Sequence, residues 1–234
     1  MSKTKKAVII GSVLVGIGVI IGFIGIAIGG FKFPNGAVDL TTMKALHAEK
    51  KTVQIADAFD KIEIAGASSM DIEICKSKTG KNYVEYYDTD DWTSRVDVKD
   101  RVLKFTTDDK GKHKAVVSLG FGKDTAARLY LADAEYKEIS VTTLSGYVTI
   151  QDVNAETVNV SASSGDIDLE CCDAEGFDIT TSSGDVDMEI TAGRAYRFET
   201  KTNSGAVDVP DGDADSDYLC KIVTSSGDVD VKQK

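Results

Sequence analysis

Seven aspartates stand on alternate positions just after a series of Ser-Gly pairs: Asp166 and Asp168, Asp185 and Asp187, Asp208, then Asp228 and Asp230. Carboxylates repeated this way suit two kinds of chemistry. They can hold a hard divalent cation such as calcium, whose oxygen ligands sit at ~2.3–2.6 Å in flexible geometry. They can also act in pairs as acid and base, as glycoside-cleaving enzymes use them. The first reading names Asp166 with Asp185 and Asp168 with Asp187 as calcium-bridging pairs, with Ala206 leaving the next rung one-sided. The second needs a unique cluster with a basic or His partner, and these acids are monotonous; the arginines among them are Arg194 and Arg197, in a turn-like insertion. His47 and His113 lie far from any repeated constellation, and no P-loop, zincin, C-x-x-C or dinucleotide fingerprint occurs. The stretch PDGDADSDY (210–218) spaces Asp211, Asp213, Asp215 and Asp217 like early calcium-loop ligands. It has Ser216 and Ile222 where an EF-hand would need Gly and Glu, so it reads as a solvated loop. The chain is therefore read as non-enzymatic, with no catalytic residue and no cofactor apart from calcium at the aspartates.

These aspartates belong to a twelve-residue unit written five times: ISVTTLSGYVTI (139–150), VNVSASSGDIDL (158–169), FDITTSSGDVDM (177–188), FETKTNSGAVDV (198–209) and CKIVTSSGDVDV (220–231), here repeats 1 to 5. Their glycines advance by 19, 19, 21 and 22 residues, a period that marks a solenoid whose units bury their apolar faces on one another. Apolar residues alternate on both sides of the glycine, as in Phe177, Ile179, Val186 and Met188, which is strand periodicity. Each unit is then strand, corner, strand. The corner pairs are Ser145-Gly146, Ser164-Gly165, Ser183-Gly184, Ser204-Gly205 and Ser226-Gly227; glycine turns the chain through positive φ, and the serines are expected to stack as a hydroxyl ladder. The fold class is all-β, a single-domain, parallel β-helix-like solenoid.

The same register places the cysteines. Cys220 stands where its sister units carry Ile139, Val158, Phe177 and Phe198, and Cys172 aligns with Val153. Both are expected as core thiols. With repeats stacked in sequence order they lie two to three rungs apart, ~10–14 Å at ~4.8 Å per rung, beyond the ~7 Å reach of a disulfide.

Ahead of the repeats, residues 7–31 hold no charge and follow Lys3, Lys5 and Lys6. A helix of that length spans ~37 Å, enough for a ~30 Å hydrocarbon core, and the lysines keep the tail, residues 1–6, in the cytoplasm. Gly18, Gly22, Gly25 and Gly29 give two G-x-x-x-G spacings through which such helices can self-associate. Residues 32–60 read as a stalk, with a short helix over 40–51. Residues 61–234 form the extracytoplasmic solenoid, an irregular lead-in over 61–131 and regular repeats over 132–234; 61–74 looks like a degenerate repeat with Met70 at the glycine position.

Charge is unevenly shared. Of the net −11, residues 35–131 contribute nothing, with 16 acidic and 16 basic side chains, whereas residues 132–234 carry 22 acidic against 7 basic. Such a repeat region repels nucleic acid and anionic lipid headgroups.

Taken together, a cationic tail, one membrane helix, a β-rich lead-in and RLYLADAEYKEISVTTLSGYVTI (128–150) followed by S-S-G-D-[IV]-D resemble the bacterial adhesin-like, toastrack-domain proteins of the cell envelope. The resemblance spans roughly residues 50–234 and brings no catalytic motif. It implies strands wrapped on the outer side of a bacterial membrane. The expected role is a binding, scaffold or sensing module of the envelope with a membrane-protein partner. The alternative is a surface adhesin for carbohydrate or matrix, and a polysaccharide-acting enzyme comes last.

Overall fold

A computed structural model describes residues 37–39, 44–45, 48–65, 70–89, 92–109, 116–118, 126–132 and 135–234. Among them every regular element is a strand, and no helix is long and apolar enough to cross a membrane. The span expected over 7–31, with its four glycines, lies outside the described residues.

Alternation decides the wrap. In each repeat the strand before the corner joins one sheet and the strand after it joins the opposite sheet. Both pair in parallel with the equivalent strands of neighbouring coils: Ile139 with Val158 and Val158 with Phe177 on one side, Val148 with Ile167 and Ile167 with Val186 on the other. These residues point inward and are at most 2 % exposed. Each such aliphatic side chain contributes about 1.5–3 kcal/mol on burial, which is ample to hold parallel strands against their weak intrinsic pairing.

The rungs do not follow sequence order. Leu219–Val223 of repeat 5 pairs on one edge with repeat 3, Phe177 against Cys220, and on the other with repeat 4, Phe198 against Cys220. In the second sheet Val229–Gln233 lies between Val186–Ile190 and Val207–Asp208. The spatial order is therefore 1, 2, 3, 5, 4. This corrects the sequential stacking assumed from the repeats. The reason is linker length: two residues join Val148–Gln151 to Asn154–Ser164, but six separate Val186–Ile190 from Arg197–Lys201 and ten separate Val207–Asp208 from Leu219–Val223. The longer links let the chain step over one rung and then return into the gap.

The lead-in is a coil of the same kind. Lys61–Ala65 and Ile72–Lys76 pair in parallel with the two strands of repeat 1, and Met70 is buried beside the corner. Beyond it the solenoid ends in antiparallel strands, Val102–Asp109 with Trp92–Lys99 in one sheet and Ala127–Leu131, Asn82–Thr89 and Ala48–Ile55 in the other. The helix expected over 40–51 does not form: Lys44–Ala45 and Ala48–Ile55 are strands. A twelve-residue helix is marginal alone. Pairing with Asn82–Thr89 instead satisfies a whole strand edge, reinforced by Lys50–Glu85 at 3.1 Å and Lys51–Asp88 at 2.7 Å.

Candidate functional site

The repeated corner chemistry binds one rung to the next. At Gly184 φ is +152°, and a Cβ there would collide with the backbone carbonyl of Gly165; backbone cannot step aside as a side chain can, so only glycine fits. Three residues before the glycine, Thr181, Thr224 and Thr202 donate their hydroxyls to the corner carbonyls of the preceding rungs, Gly165, Gly184 and Gly227, at 3.1–3.5 Å. One residue after it, the aspartate works in the other direction. Asp166 Oδ1 accepts the Asp185 amide at 2.9 Å, Asp185 Oδ1 the Asp228 amide at 2.8 Å, and Asp228 Oδ1 the Ala206 amide at 2.7 Å. Asp71 does the same for Tyr147 at 2.9 Å. The serine hydroxyls at 145, 164, 183, 204 and 226 make no bond to one another among the described residues. The serines do stack in register, in the order 145, 164, 183, 226 and 204, but the hydroxyls that bond one rung to the next are those of Thr181, Thr224 and Thr202. Their signal was in the sequence, a threonine three before the glycine in repeats 1, 3, 4 and 5.

Ala206 now has a structural reason. Among the described residues repeat 4 is the terminal rung, and no further amide awaits a carboxylate there. Thr200, which replaces the inward Val141, Val160, Ile179 and Ile222 of the other repeats, fits the same terminal place.

The second aspartate of each repeat faces outward from the strand, and the register lines up Asp168, Asp187, Asp230 and Asp208 on consecutive rungs. Partial burial, then the neighbouring carboxylates of Glu170 and Asp187, push the Asp168 carboxyl above its ordinary range. Asp187 is raised likewise, by burial first and then by Asp230 and Asp185. Lys232 offsets part of this charge at 3.0 Å from Asp230. The structure thus sets Asp168 against Asp187 on adjoining rungs. It ties Asp166 and Asp185 into backbone hydrogen bonds. Among the described residues no group of three or more His, Cys, Asp or Glu side chains is placed to hold a metal ion.

On the opposite sheet the outward face is lined at its centre mainly by small polar side chains. A shallow trough of about 310 Å³ runs over three rungs, lined by Ser140 and Thr142, Asn159 and Ser161, Asp178 and Thr180. Ser140, Asn159 and Asp178 are register partners, as are Thr142, Ser161 and Thr180. Asn159 is steadied by Glu138 at 3.4 Å, and Lys221 closes one end on Asp178 at 3.0 Å. Sequence reading passed over this face because small polar residues on a strand look like ordinary solvated surface.

The cysteines are free. Cys172 and Cys220 are fully buried in the core, and burial pushes each thiol up to about 12. Cys171 is exposed and takes the left-handed corner conformation, φ 53°, that Asp152 takes one coil earlier, φ 55°.

Residues 59–234 match the family model described as Toastrack DUF4097. No curated protein matches the chain. A crystal structure from Clostridium sporogenes, named for cell adhesion, aligns with a TM-score of 0.60 at 16% identity, covering 81% of this chain and 100% of that one; at that identity it shows the fold alone. A structure from Bacteroides fragilis, named for adhesin character, aligns over 80% of this chain and 97% of its own at 15% identity, with a TM-score of 0.37.

Proposed function

We propose that this chain, which belongs to the Toastrack DUF4097 family, is a non-enzymatic surface adhesin that binds a hydroxyl-rich ligand, a glycan, through its serine-, threonine- and asparagine-lined trough. The domain stands on the outer side of a bacterial membrane, held there by the helix expected over 7–31. The observation that carries the reading is the trough itself: the hydroxyls of Ser140, Thr142, Ser161 and Thr180 have no protein partner among the described residues. They sit on a grid fixed by the parallel register, with strands ~4.8 Å apart and alternate residues ~6.6 Å apart. Hydroxyl, amide and carboxylate groups on a rigid sheet recognise sugar hydroxyls without having to order a loop. The cell-adhesion name of the Clostridium sporogenes relative accords with this.

The test is binding of the full chain to an oligosaccharide panel, with Ser161→Arg, which fills the trough from an exposed position, as comparison. At least a tenfold loss of affinity is expected. No oligosaccharide binding, together with in-cell crosslinking to a membrane protein, would overturn the adhesin reading in favour of an envelope sensor or scaffold.

A further inference from the structure

Repeat 1 breaks the corner pattern in a way that its own fold does not require. Where the other repeats carry Ser163, Ser182, Asn203 and Ser225 before the Ser-Gly pair, it has Leu144; where they carry Asp166, Asp185, Ala206 and Asp228 after it, it has Tyr147. Leu144 is 57 % and Tyr147 59 % exposed. The third exposed large hydrophobic among the described residues, Val207, lies on the terminal rung, where no further coil covers it. Leu144 and Tyr147 have no such excuse. Their corner is held in the ladder like the rest, the Tyr147 amide on Asp71 Oδ1 at 2.9 Å and the Gly146 amide on the Ser164 carbonyl at 3.2 Å. A leucine and a tyrosine exposed on a corner whose backbone is anchored in the ladder are what a partner's apolar side chain seats against, and tyrosine is among the residues that dominate binding energy at interfaces.

The surroundings select the partner. Along the same ridge Asp71 precedes the pair and Asp166, Asp185 and Asp228 follow it, each spending Oδ1 on the next amide. No lysine or arginine occupies a corner position in any repeat. An anionic lipid or nucleic acid would be repelled, and a neutral glycan would leave the carboxylates uncompensated. We propose that the corner ridge from Leu144 and Tyr147 to Asp228 docks a basic polypeptide segment, an apolar side chain on the Leu144–Tyr147 pair and cationic side chains on the aspartates. This site is separate from the trough and stands whether or not the trough binds glycan.

The probe is a labelled (Lys-Phe)3 peptide titrated onto the full chain in zwitterionic nanodiscs, with empty nanodiscs subtracted and Lys6 and (Glu-Phe)3 as controls. Leu144→Ser with Tyr147→Asp restores the pattern of the other repeats, so its melting temperature is expected to hold; Tyr147→Ser alone serves if it does not. (Lys-Phe)3 is expected to bind the native chain at least tenfold more tightly than the restored variant and than Lys6 binds the native chain. Equal affinity for native and restored chains overturns the proposal, as does Lys6 binding as tightly as (Lys-Phe)3. A neutral oligosaccharide whose binding disappears in the restored variant also overturns it, in favour of a sugar site at the corner.

Discussion

The backbone amide of Asp228 donates to Oδ1 of Asp185 at 2.8 Å although 43 residues separate them and the whole of repeat 4 lies between. With the Ala206 amide on Asp228 Oδ1 at 2.7 Å, that bond places repeat 5 between repeats 3 and 4. Its consequence can be read by crosslinking. Asp178 and Lys221 are register partners, whereas Glu199 lies one rung further on. In a background lacking Cys75 and Cys171, Asp178→Cys with Lys221→Cys is expected to form a disulfide on mild oxidation, because parallel neighbours fall within bridging distance. Asp178→Cys with Glu199→Cys is not; a bond in the second pair would restore the sequential order.

The corner aspartates are expected to matter according to rung position. Asp185→Ala removes the acceptor for the Asp228 amide and should cost about 1 kcal/mol in urea denaturation. Ala206→Asp adds a carboxylate at the terminal rung, where no amide waits, and should change stability by less than about 0.5 kcal/mol. A matching gain at position 206 would place another rung beyond repeat 4.

The outward aspartates give a pH dependence of defined sign. Asp168 and Asp187 are raised above the ordinary 3.8 by burial and by neighbouring carboxylates. A raised folded-state value means stability that is present below 3.8 and lost as pH rises through the folded-state value. Asp187→Asn should therefore raise the urea midpoint at neutral pH, and its advantage over the native chain should shrink on acidification through that window. A constant difference across the window would put the effect elsewhere.

Calcium remains a proposal for the aspartate pairs, and it narrows to Asp168 with Asp187, since Asp166 and Asp185 already accept backbone amides. A bridging ion predicts a higher melting temperature in millimolar calcium than in chelator at matched ionic strength. The difference should vanish in Asp168→Asn with Asp187→Asn. Equal melting in both buffers leaves the face as screened surface.

Thiol labelling should rank the cysteines by exposure. Cys171 is exposed, Cys75 half-buried, and Cys172 and Cys220 buried with thiols near 12. Maleimide followed by mass spectrometry is expected to mark Cys171 first and to spare Cys172 and Cys220 until the chain unfolds. Early labelling of Cys220 would contradict its place between Phe177 and Phe198.

What the sequence determined by itself was the unit. Alternation around each Ser-Gly pair is a local property, because side chains change face at every residue of a strand. It therefore located the coils, the inward Ile139, Val158, Phe177 and Cys220, and the rung to which Lys61–Ala65 and Ile72–Lys76 belong. The family resemblance rested on the same local pattern. What only the tertiary structure decided was adjacency. Repeats 2, 3 and 5 could stack on one another in any order, since each presents the same inward alternation and the same Ser-Ser-Gly-Asp corner. The choice of repeat 5 over repeat 4 as the neighbour of repeat 3 therefore rested on two lengthened linkers and on the end-rung residues Thr200 and Ala206, whose meaning appears only when the rung beyond is missing. The trough and the Leu144–Tyr147 corner needed the register too. Residues 19 apart become neighbours only when strands pair, and a tyrosine in an aspartate ridge is a departure only once the ridge exists.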